Sequence, residues 1–127
     1  MYAINTLHHL EDRKSQIDTM QELLRVTKVG GLVFIHEMNI RNPIIRLYLN
    51  YIFPKLRNID EGNEIWIKST FFQEIKGIKI LDTRFYNFIP DFTPKFLFGI
   101  VIRMGLLLEN SFLRKYSANY CIVIQKL

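Results

Sequence analysis

Apolar and polar positions sort this chain into short segments of changing period. Tyr2, Ile4 and Leu7 read as the end of a strand already in progress at the first residue. From about Asp12, Ile17, Met20, Leu23 and Leu24 recur at helical spacing, with Asp18, Gln21, Glu22 and Arg25 mostly opposite them. That spacing predicts an amphipathic helix capped by Asp12 or Ser15. Gly30 and Gly31 are expected to end it, with Lys28 against the last-turn carbonyls, because glycine takes the left-handed conformation that a helix exit commonly needs. Leu32, Val33, Phe34 and Ile35 then form a continuous apolar run, as expected of an interior strand of a parallel sheet covered on both faces.

The second half is more apolar. Asn42 and Pro43 predict a helix cap and first turn, continued by Ile44, Ile45, Leu47, Tyr48, Leu49, Tyr51, Ile52 and Phe53 until Pro54 ends or kinks it. Residues 57–64 are polar and read as a loop, and a short helix from Thr70 to Lys76 is expected to stop at Gly77. Bulky β-favouring residues between Ile78 and Ile89 predict a strand. Thr93 and Pro94 open another helix, running to about Leu108 with only Lys95, Gly99 and Arg103 as a polar or small stripe, so most of its circumference should be covered. A final strand is expected from Tyr120 to Gln125.

The chain has 127 residues, 49% hydrophobic and 13% aromatic, enough for one core, with no repeat and no linker-like break in composition. Residues 1–127 therefore read as a single domain or part of one. The net charge is +5, with 17 Lys and Arg against 12 Asp and Glu scattered along the chain. Without a concentrated basic stripe, nucleic acid is not an expected partner. Cys121 is the only cysteine, which excludes an intramolecular disulfide and fits a cytoplasmic location; its strand-like setting predicts a buried, inert thiol. Neither apolar helix has the roughly 20 predominantly apolar residues of a membrane span, although few polar positions leave peripheral membrane contact as an alternative.

Two strings carry more information. Residues 5–12, NTLHHLED, and residues 22–37, ELLRVTKVGGLVFIHE, resemble the middle of a class I S-adenosylmethionine-dependent methyltransferase. The first is similar to the segment after that family's fourth strand. The second is similar to its following helix, Arg-Val-Leu-Lys-Pro-Gly-Gly turn and fifth strand, with Thr27 and Val29 in place of the common leucine and proline. By element order the resemblance covers nearly the whole chain; by motif it covers about residues 4 to 37. It implies an α/β fold: a partial Rossmann-like sheet, from the end of strand four through an antiparallel strand seven, with helices on both faces.

The resemblance also implies roles. Ligands of open α/β sheets lie beyond the carboxyl ends of the strands, so Ala3 to His9 and Glu37 to Asn39 should face the crevice. Ala3, Asn5, Leu7 and His8 would be cofactor-binding, with backbone carbonyls toward the methionine ammonium of S-adenosylmethionine and an apolar wall near the sulfonium. His9 would be the family's histidine, acting as a general base or orienting its loop; the loop role is favoured because no acidic partner is evident in the sequence. Glu37 has two readings as well: positioning or deprotonating a small-molecule or lipid-like acceptor together with Asn39, or accepting bonds from the amides of the next loop. His36 should face away from Glu37. A metal site built from His8, His9, His36 and Glu37 is not expected, because the histidine pair is adjacent instead of one helical turn apart.

The six glycines, Gly30, Gly31, Gly62, Gly77, Gly99 and Gly105, form no glycine-rich loop between a strand and a helix. The resemblance places that loop upstream, so Met1 is read as falling within strand four of a longer fold whose N-terminal, adenosine-binding half is missing. A sheet so truncated should expose apolar surface and favour pairing. Three functions stay open: a methyltransferase fragment, a non-enzymatic interaction module or partner subunit working as an oligomer, and a lipid-surface protein.

Overall fold

The computed structural model describes residues 1–52, 55, 65–88 and 94–127. Strand β1 (Tyr2–Ile4) leads through a 3-10 turn, Leu7–His9, into helix α1 (Arg13–Val26). Asp12 caps α1 by accepting from the Ser15 amide at 2.6 Å, which holds its carboxyl below the ordinary range. Strand β2 (Leu32–Met38) follows, then the short helix α2 (Pro43–Leu47), whose first turn is capped by Asn42 accepting from the Ile44 and Ile45 amides. A 3-10 segment, Ser69–Glu74, precedes β3 (Ile78–Tyr86); α3 (Phe98–Glu109) and β4 (Asn119–Lys126) complete the described elements.

The fold is mixed α/β, built on a four-stranded sheet in the order β1-β2-β4-β3. β1 runs parallel to β2, with Ala3 opposite Ile35. The terminal strand β4 lies between β2 and β3 and is antiparallel to both, with Ile122 opposite Ile35 and Ile124 opposite Ile80. Its two neighbours therefore both point their carboxyl ends the same way as β1 does.

One face of the sheet carries the core. Val33 and Ile35 of β2 and Tyr120, Ile122 and Ile124 of β4 meet Met20 and Leu24 of α1 and Phe71 and Phe72 of the 3-10 segment. Burying each such side chain stabilises by about 1.5–3 kcal/mol. The other face differs from the expectation of helices on both sides. Tyr2 is 74% exposed and Phe34 is 43% exposed, and Ile4 and Leu32 are exposed beside them. The run Leu32–Ile35 thus alternates out and in instead of being buried throughout, because α1 and Ser69–Glu74 both pack on the Val33 and Ile35 side.

Other boundaries are corrected too. Helix α1 stops at Val26, before the glycines: Thr27 is already extended, and its carbonyl accepts from the Lys126 ammonium at 2.9 Å, so Lys28 is not in the last turn. Gly30, at φ +75°, closes the following turn. The Asn42 helix changes to a π-helical turn over Tyr48–Ile52, and Phe53 and Pro54 lie outside the described residues. So do residues 57–64, Ile89 and Thr93. The segment read as a helix from Thr70 is 3-10, with Gly77 at φ +76° beyond it. The largest departure is α3: Phe98, Ile100, Met104, Leu106 and Leu107 are exposed and only Gly105 is buried. Its main contacts are the turns that flank it in sequence, and Val101, Ile102 and Leu108 are only half-buried. None of the described helices is long and apolar enough to cross a membrane.

Candidate functional site

Strand alternation sends Val33, Ile35 and Glu37 to the core face, and this brings a carboxylate into the interior at the carboxyl end of β2. Glu37 is only 1% exposed. A buried carboxylate needs donors on both oxygens, and the loop leaving β1 supplies them. Glu37 Oε1 accepts from the backbone amides of Thr6 at 3.1 Å and Leu7 at 2.9 Å. Glu37 Oε2 lies 2.6 Å from His8 Nδ1. The direction of that bond follows the imidazole tautomer, and the Nδ1–H form is the one from which a carboxylate accepts.

Four further hydrogen bonds hold this loop. Gln16, fully buried on α1, donates from Nε2 to the carbonyls of Leu7 at 3.2 Å and Ile65 at 2.8 Å. The Ile65 amide donates to the His8 carbonyl at 3.1 Å. The Asn5 amide extends the parallel ladder by donating to the His36 carbonyl at 2.9 Å, and Asn5 itself sits at φ +48°, a left-handed conformation that asparagine tolerates better than most residues. The His8 ring stacks on Trp66 at 4.5 Å between centroids and lies 4.1 Å from the His9 ring. Tyr120, opposite Glu37 on β4, donates its hydroxyl to the Ile67 carbonyl at 3.0 Å; burial, then the neighbouring Glu37 charge, push its pKa well above the ordinary value.

The sequence-derived residues divide accordingly. Glu37 and His8 come together as a buried acid–imidazole pair. His9 is exposed next to them, so the acidic partner belongs to the histidine that seemed the less regular of the two. Glu37 does bond backbone amides, but those of the loop after β1, not of the loop that follows it. Leu7 lies fully in the core and its carbonyl is taken by Gln16, so neither group forms a crevice wall. Ala3 and Asn5 remain at the rim.

Asn39, expected to touch an acceptor, is buried and structural. Its Nδ2 donates to the Lys115 and Ser117 carbonyls at 3.0 and 2.9 Å, and its Oδ1 accepts from the Arg41 amide. His36 faces away from Glu37, 5.7 Å from the Tyr86 ring and opposite Cys121 in the ladder. Cys121 is half-buried, not buried as expected; desolvation first, then Asp82, push its thiol pKa up. Among the described residues no group of three or more His, Cys, Asp and Glu could hold a metal ion.

Gln16 and Trp66 were not anticipated. A signal for Gln16 was present, because it falls on the same helical face as Met20 and Leu24; Trp66 follows a polar stretch and offers no periodicity. Comparison of the chain with protein-family models and with curated proteins finds no match.

Proposed function

We propose that this chain forms the methionine side of the donor site, and the acceptor side, of an S-adenosylmethionine-dependent methyltransferase acting on a small-molecule or lipid-like acceptor in the cytoplasm. The observation that carries the reading is the junction of β1 and β2. Two parallel strands deliver their carboxyl ends to one rim, and a buried carboxylate clamps the loop that bears the family-like NTLHH string. The antiparallel terminal strand supports the same Rossmann-like arrangement.

The residues present fit one end of the cofactor. Ala3 and Asn5 are the rim groups that would hold its methionine portion, whereas no described strand-to-helix turn offers a glycine loop for the adenosine. When bound, S-adenosylmethionine supplies a methyl group that is already electrophilic. Glu37 and His8 then serve as positioning residues: they fix the backbone against which the donor rests, and their burial keeps water from that side of the rim. A general base is not required of them.

Equilibrium dialysis tests this directly. The folded chain should bind S-adenosylmethionine with a dissociation constant near about 1 mM, as expected of partial contacts. Methionine should displace it and adenosine should not. No saturable binding by the folded chain, or displacement by adenosine alone, contradicts the proposal. The exposed Tyr2, Ile4, Leu32 and Phe34 favour a second reading, a non-enzymatic module that pairs through this face, and a stable oligomer without donor binding would select it.

A further inference from the structure

Beyond Asn39, two adjoining clefts open at the carboxyl end of β2, sharing Ile40, Arg46 and Lys68. The first, of about 340 Å³, is floored by Leu49 and Trp66. The second, of about 410 Å³, adds Arg41, Lys115 and Tyr116. Four cationic side chains thus line one continuous depression, and no described residue lining it is acidic. None of the four forms an ion pair among the described residues. Like charges gathered with no acidic side chain beside them among the described residues repel one another, and an anion seated between them relieves that cost.

The wall that carries Lys115 is preformed. Asn39 binds the carbonyls of Lys115 and Ser117, and Asn42 Nδ2 binds that of Tyr116 at 2.7 Å. Both asparagines are buried. Three successive carbonyls are thereby engaged by asparagine donors, which fixes the loop that carries Lys115. Apolar and aromatic surface from Leu49, Trp66 and Tyr116 adds room for an organic group beside the charge.

We propose that this cleft binds a phosphorylated small molecule, with Arg46 and Lys68 at the centre gripping the phosphate and Trp66 against the organic portion. The inference stands on the cleft and not on methyl transfer, and its test contains no methyl donor. A nucleic-acid groove is disfavoured, because the cations surround one pocket instead of tracking a backbone.

Trp66 is the only tryptophan, and it lines the cleft while stacking on His8, so its fluorescence reports binding. Inorganic pyrophosphate should produce a saturable change and bind about 10-fold more tightly than inorganic phosphate, since it offers more charge-assisted contacts. Isothermal titration should give the same constants. The double variant Arg46→Gln/Lys68→Gln, altered at exposed positions and checked by circular dichroism, should weaken pyrophosphate by at least about 10-fold. Arg84→Gln, which removes an exposed cation already paired with Asp82, should leave binding unchanged. The proposal is overturned if neither method detects saturable binding, if sodium chloride at matched ionic strength reproduces the response, or if the double variant binds like the parent.

Discussion

Glu37→Ala is expected to destabilise the fold by about 3–5 kcal/mol, since each donor left without its acceptor costs about 1–3 kcal/mol and three lose theirs together. The substitution takes the acceptor from one half-buried amide, one buried amide and a buried imidazole at once. Thr6 and Leu7 lose their acceptor, and His8 Nδ1 loses the carboxylate 2.6 Å away. Against a total of about 5–15 kcal/mol for an ordinary domain, such a loss removes a large part of the margin. Glu37→Gln should cost less, about 1–3 kcal/mol, because its carbonyl still serves the two amides while the amide nitrogen can only donate toward His8. Urea unfolding followed by Trp66 emission and by circular dichroism measures both. A loss below about 1 kcal/mol for Glu37→Ala would show that the carboxylate does not hold the loop.

Phe72→Ala should be comparably severe, at about 3–5 kcal/mol, for a different reason. Phe72 is fully buried, edge-on to Phe71 at 5.1 Å and to Tyr120 at 6.5 Å, in the layer between the 3-10 segment and the sheet. Its removal leaves a cavity bounded by β4 and by rings that are themselves held in place, Tyr120 by its bond to the Ile67 carbonyl. The sheet has this one covered face among the described residues, so little other packing compensates. Phe112→Ala is the control: the side chain is 81% exposed and its loss should stay within about 0.5 kcal/mol. Equal effects of the two substitutions in thermal or urea unfolding would contradict the assignment of the core.

Local signals along the chain were strong where one residue decides the geometry. Asp12 and Asn42 cap helices as their positions imply, and the apolar runs of β2 and β4 are strands within one or two residues of expectation. What periodicity could not supply was the side on which neighbours lie. Leu32 and Phe34 are as apolar as Val33 and Ile35, so only the placement of α1 and Ser69–Glu74 separates exposed from buried. Helix α3 makes the same point, since its composition predicts burial and its described surroundings do not provide it.

The site was half legible. Glu37 was marked as important, and alternation set it opposite His36, but only the placement of α1 and Ser69–Glu74 on the Val33 and Ile35 side put its carboxylate inside. Which histidine would answer was not legible, because His8 and His9 are neighbours in a 3-10 turn and their directions depend on how Gln16 and Ile65 pin the loop. Asn39 misled for a related reason: a polar side chain at a strand exit resembles a ligand contact until the loop it secures, Lys115 to Ser117, is folded against it from the far end of the chain.

The central claim, that the exit of β1 is a surface for the methionine end of a methyl donor, is tested most directly by titrating S-adenosylmethionine into isotopically labelled protein and following backbone amide resonances. Progressive shifts confined to Ala3 through Thr6 and the neighbouring end of β2, reproduced by methionine and absent with adenosine, are the predicted result. Unmoved resonances along Ala3 to Thr6 in a folded chain, at donor concentrations of several millimolar, would contradict it.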